Sequence, residues 1–74
     1  MSELKVYLFE ILLAKPNAEP KLLRLFEYTG RNQDEGLLQA KIFAITGLLN
    51  LRMVKRNELD YLTFKLRSIS DYTN

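Results

Sequence analysis

Leu51-Arg52-Met53-Val54-Lys55-Arg56-Asn57-Glu58-Leu59-Asp60-Tyr61-Leu62-Thr63-Phe64-Lys65-Leu66 admits two readings, and the choice between them sets the fold class. A helix over residues 58–69 puts Leu59, Leu62, Leu66 and Ile69 on one seam at spacings of 3, 4 and 3. Glu58 and Asp60 then lie at its N-terminal end and Lys65 and Arg67 near its C-terminal end, as the helix dipole favours. A hairpin instead joins strands over residues 51–56 and 59–66 at Asn57-Glu58, with Leu62, Phe64 and Leu66 alternating on one face. The helix satisfies both period and dipole. It makes the chain all-α, a small bundle of about four helices; the hairpin is the alternative.

The upstream segments fit the bundle. Residues 2–14 open with Ser2 as a cap and Glu3 at the positive end of a helix. Leu4, Tyr7, Leu8, Ile11 and Leu12 follow on one face. Val6, Phe9 and Leu13 form a second apolar row, and a helix apolar on two sides is central or lies at an interface. Val6, Tyr7, Phe9 and Ile11 suit a strand, but the length and leucine content favour a helix. The break Lys15-Pro16-Asn17-Ala18-Glu19-Pro20 ends it, with Asn17 as the next cap. Residues 19–29 then read as an amphipathic helix carrying Leu22, Leu25, Phe26 and Thr29 on one side, and Gly30 suits its C-terminal cap. Asn32 and Glu35 have capping-box spacing at the head of the longest segment, residues 33–51. Leu38, Ile42, Ile45 and Leu49 make one row there and Leu37, Ala40, Ala44, Leu48 and Leu51 another, so this helix is expected at the core's centre. Ala40, Ala44 and Gly47 are small enough to let another helix approach, which offsets the ~1 kcal/mol cost of a mid-helix glycine.

Composition narrows the chemistry. The chain is 47% apolar, fifteen of its 74 residues are leucine, and it has no histidine, cysteine or tryptophan. That length makes one domain, residues 1–74, which buries only about 60% of its unfolded surface. Small folds add disulfides, a metal or a partner subunit. Disulfides and thiolate or imidazole metal sites need residues this chain lacks, so a partner is the remaining device. Nucleophile–base pairs of the Ser-His or Cys-His kind are excluded on the same ground. Asp34/Glu35 and Glu58/Asp60 diverge on a helix and sit where acids favour its N-terminus, so they read as capping groups and not as catalysts. Gly30, Gly36 and Gly47 lack phosphate-cradling spacing. The expectation is a non-enzyme with no cofactor and no small-molecule substrate. No apolar run is long enough to span a bilayer, and Glu10 breaks the run that comes nearest to a signal-peptide core, so the cytoplasm is the expected location.

These features point to a small regulatory or adaptor protein acting through protein–protein contact, with itself as a homodimer and with another protein. Val6, Phe9, Leu13, Phe43, Phe64 and Tyr72 are the interface residues expected from the second apolar row and the outlying aromatics. A second class follows from the charge distribution. The net +2 is concentrated in residues 36–67, which carry +4. With the hairpin reading, three helices followed by residues 51–56, a turn and residues 61–66 resemble a winged helix-turn-helix domain. That resemblance implies a DNA-binding regulator with a third helix in the major groove and a wing on the backbone. Arg52, Lys55, Arg56, Lys65 and Arg67 would then meet phosphates, and Gln39 and Lys41 would enter the groove. The would-be reading helix otherwise offers little beyond Thr46, and it has no arginine for direct base readout.

Overall fold

Apolar side chains at two-residue spacing decide the N-terminal third. In the computed structural model, which describes residues 3–72, Lys5–Leu13 is a strand, β1. Tyr7, Phe9, Ile11 and Leu13 are buried on one side of it. Val6, Leu8 and Leu12 point to the other and are half-buried, because β1 is the middle strand of a three-stranded sheet. Side chains of the flanking strands half-shield its outer residues, so its run is apolar apart from Glu10 and imitates a two-sided helix. Aromatic and β-branched residues at Val6, Tyr7, Phe9 and Ile11 carry the strand preference that prevails.

Lys21–Gly30 forms β2 and Leu62–Asp71 forms β3, both antiparallel to β1, in the spatial order β2-β1-β3. Between β2 and β3 lies the one α-helix, α1, Gln33–Phe43, continued by a π-helical turn, Ala44–Leu48. The fold is therefore α+β, and it corrects the small helical protein with an all-α four-helix bundle expected from the sequence. Only residues 33–51 keep the helix read from periodicity. The winged-helix alternative is corrected too, since three helices and a hairpin over residues 51–66 are absent among the described residues. Residues 51–55 make a turn, Arg56–Tyr61 a 3-10 helix, and β3 pairs with β1. The alternation of Leu62, Phe64 and Leu66 holds, half-buried against exposed Thr63 and Lys65.

Caps and turns explain the boundaries. Pro16 and Asn17 occupy the centre of a turn closed by Ala18 N donating to Lys15 O at 3.3 Å. Asn17 has φ 60°, the left-handed value that a type II turn requires at its third residue. The chain therefore reverses into β2 where the sequence suggested a helix cap. Asn32 does cap α1: its Oδ1 accepts from Asp34 N at 2.8 Å. Glu35 does not complete the capping box, because its carboxylate accepts from the Tyr28 hydroxyl at 3.0 Å, which pushes the phenol's pKa up. Ser2, read as a cap, lies outside the described residues.

The helix ends in a Schellman motif, with Met53 N donating to Leu48 O at 2.9 Å and Arg52 N to Leu49 O at 3.0 Å. Arg52 holds the left-handed position, φ 59°, where glycine is the unstrained residue. Arg52→Gly should therefore raise stability by about 0.5–1 kcal/mol and the melting temperature by several degrees. An unchanged or lower melting temperature in a thermal scan would contradict the geometry of this cap.

The core lies between α1 and the inner sheet face. One end gathers Ile11, Leu13, Ala44, Leu48 and Val54, and the other Tyr7, Phe9 and Ala40. Phe26 and Phe64 touch both groups. The helix sits close to the sheet because its inner row is small. A Cβ added at Gly36 would lie 2.9 Å from Tyr28 Cδ2 and 3.0 Å from Phe9 Cε2.

The 3-10 helix is tied to the β1–β2 turn. Glu58 accepts from Lys55 N at 2.8 Å and pairs with the Lys15 ammonium. Hydrogen bonding to Lys15, reinforced by Lys55 N, holds the Glu58 carboxyl below its ordinary pKa. A depressed carboxylate contributes stability that is complete above its unfolded pKa and is lost on acidification through the folded one. Glu58→Gln should thus flatten the fall in melting temperature below about pH 4. Identical acid profiles for variant and parent would show that the pair contributes nothing.

Candidate interaction surface

The two rows of α1 are placed opposite to their bulk. Gly36, Ala40, Ala44 and Leu48 are buried against the sheet, and the larger row faces water. Leu38 is 56% exposed, Ile42 46% and Ile45 51%, with Leu49 half-buried at the end of the same row. At 100° per residue, Leu38 and Ile42 each lie about 160° around α1 from Ala40, nearly opposite it. This corrects the expectation that Ile45 is central to the core. Sequence periodicity found both rows but could not rank them. The small residues at 36, 40 and 44 were the available signal, since they permit the close approach that a sheet requires.

The outer sheet face is the second uncovered surface. Val6, Leu8 and Leu12 run along its middle, with Leu22, Leu25 and Leu4 exposed beside them. Charges cross it. Glu10 lies on the central strand opposite Lys65 of β3 and 3.9 Å from Arg67, and Glu27 lies on β2 opposite Leu8. An amphipathic, solvated outer face is ordinary for an antiparallel sheet. An outward row of large aliphatics on the covering helix is not.

The expected interface residues are dispersed by the fold. Phe9 and Leu13 are buried in the core, out of a partner's reach. Phe43 is half-buried and stacks on Phe26, with ring centroids 5.3 Å apart, and Phe64 is half-buried beneath α1. Val6 lies on the outer sheet face and Tyr72 is exposed beyond β3. Leu38, Ile42 and Ile45 are the exposed large aliphatics on the helical segment.

The basic residues do not converge either. Arg52 and Lys55 are exposed on the turn after the helical segment, Arg56 at the start of the 3-10 helix, and Gln39 and Lys41 on α1. Lys65 and Arg67 lie on the outer sheet face, across the sheet from α1. The seven residues form no single phosphate-tracking surface.

Among the described residues no three acidic side chains gather into a metal-holding group. An open cleft of about 310 Å³ lies beside the β1–β2 turn, with Leu13, Leu23 and Met53 in its floor and Lys15, Lys21 and Glu58 around it. The Lys15–Glu58 pair neutralises two of those charges. No described helix is long and apolar enough to cross a membrane. Comparison with known protein families, curated proteins and solved structures finds no match to this chain.

The surface area itself is informative. The chain exposes 5573 Å², against about 4,700 Å² expected for a folded monomer of its 8.7 kDa. The excess of about 850 Å² reflects an elongated shape, 45 × 23 × 18 Å along its principal axes. The Cα radius of gyration, 13.4 Å, likewise exceeds the ~11 Å of a compact chain of this length.

Proposed function

We propose that this protein is a small non-enzymatic regulator or adaptor of the cytoplasm that works by protein–protein contact, as a homodimer. One observation carries the reading: α1 and the turn that continues it bury their small residues and present Leu38, Ile42 and Ile45 to solvent. Burying apolar surface yields about 25 cal/mol per Å², so leaving this row in water forgoes a stabilisation that a thin-margined domain needs. The two uncovered surfaces, helix row and outer sheet face, lie on opposite sides of the chain. One can hold a second copy while the other stays open to a different protein.

Sedimentation equilibrium across the micromolar range should give a monomer–dimer equilibrium, with binding of an apolar dye rising on dilution. A clean monomer at the highest concentration, with no dye binding, would overturn the proposal. Specific capture of duplex DNA, lost steeply with added salt, would replace it by a nucleic-acid function.

A further inference from the structure

We infer that the outward row of α1 is the homodimer seam and that two copies pack these helices antiparallel about a two-fold axis passing between Phe43 and Ala44. This rests on the homodimer reading and specifies which surface forms it. Leu38, Ile42 and Ile45 stand exposed on α1 and the π-helical turn that continues it, and Leu49, which also packs on the core, ends the row. The axis seats Leu38 on the partner's Leu49 and Ile42 on the partner's Ile45, so the contact is self-complementary, as an isologous interface must be.

Charge fixes the orientation. Asp34 and Glu35 occupy the first turn of α1, whereas Arg52, Lys55 and Arg56 follow its end. Antiparallel packing brings each acidic end alongside the partner's basic end and aligns the two helix dipoles favourably. Parallel packing would set Glu35 on the partner's Glu35 and basic turn on basic turn. Lys41 flanks the row with an exposed side chain, long enough to keep its ammonium in water at the rim.

The rival is the outer sheet face, which offers more area. Glu10 lies at its centre, and face-to-face packing would desolvate that carboxylate and bring it near its own copy. The helix row has no charge within it. From Leu38 to Leu49 it is about 16 Å long and 10–12 Å wide, a small contact of the weak, transient class. The dimer should accordingly be of micromolar affinity.

The chain has no cysteine, so single cysteines report the geometry cleanly. Leu38→Cys and Leu49→Cys variants, mixed and gently oxidised, should form the mixed disulfide. Leu38→Cys alone should not, because the two copies of residue 38 are about 16 Å apart in this register. Ile42→Glu should raise the dimer dissociation constant by about tenfold or more, with an unchanged circular dichroism spectrum. Leu25→Glu, on the outer sheet face, should leave it unaltered. Self-linking of Leu38→Cys would overturn the antiparallel register. A dimer that survives Ile42→Glu, or is lost with Leu25→Glu, would overturn the seam while leaving the homodimer standing. A parent chain that never dimerises would remove both.

Discussion

Ile11→Ala is expected to bring the domain to the edge of unfolding. Ile11 is wholly buried on the central strand, among Leu13, Ala44, Leu48 and Val54. Removing its branched side chain should cost about 2–5 kcal/mol through lost transfer energy and the cavity left behind. A domain of this length holds roughly 4–11 kcal/mol in total, so the melting temperature should fall by ten degrees or more. The matched control is Ile45→Ala, the same substitution on the outward row of α1. At concentrations where the chain is monomeric it should change stability by no more than about 0.5 kcal/mol. Denaturant melts of the two variants rank the rows of the helix directly. A large loss at Ile45 with a small one at Ile11 would mean that α1 packs with its other face on the sheet.

Ala44→Leu should have the next largest effect, in the same direction and for the opposite reason. Ala44 is fully buried where α1 meets the sheet, and its neighbours Ile11, Leu13, Leu48 and Val54 leave no space for a branched side chain. Overpacking there should cost about 1–3 kcal/mol by lifting the helix or forcing side chains from their rotamers. Helix propensity predicts almost nothing, since alanine and leucine are both good helix formers. The size of the loss therefore measures how closely the helix approaches the sheet. A neutral result would mean that the space between them is looser than Gly36, Ala40 and Ala44 imply.

The sequence showed where the chain turns more clearly than what lies between the turns. Pro16-Asn17, Asn32 and the 51–57 stretch all mark element boundaries, because turn and cap chemistry is local and survives any tertiary context. Within residues 33–51, the stretch to residue 50 is helical as its periodicity indicates, since nothing β-branched dominates the pattern. β1 and β2 did not read as strands. A central strand with Leu8 and Leu12 on one side and Phe9, Ile11 and Leu13 on the other has no polar alternation, and its leucines fit a helix equally well. In β2 the register slips between Ile11 and Leu12 of its partner, so Leu22 and Leu23 are adjacent apolar residues that mimic helical spacing. The candidate surface was invisible for a related reason. Periodicity reports that a helix has an apolar side, and only the packing of Gly36 against Tyr28 and Phe9 reveals which side is turned inward.

The position of β1 has a consequence for the nascent chain. Its first neighbour, β2, follows after a short turn, but its second begins at Leu62, and Lys5 meets Asp71 across 66 residues. At a synthesis rate of roughly 5–20 residues per second, the ribosome needs about 2–8 s to extend the chain from the end of β2 to the end of β3. Through that interval the β1–β2 hairpin has a bare hydrogen-bonding edge on its most apolar strand, the arrangement that recruits foreign strands into aggregates. Glu10 is the one charge in the interior of β1, and a lone charge in such a stretch discourages cross-chain pairing. Glu10 therefore keeps a charge on that strand during the seconds before its last partner arrives.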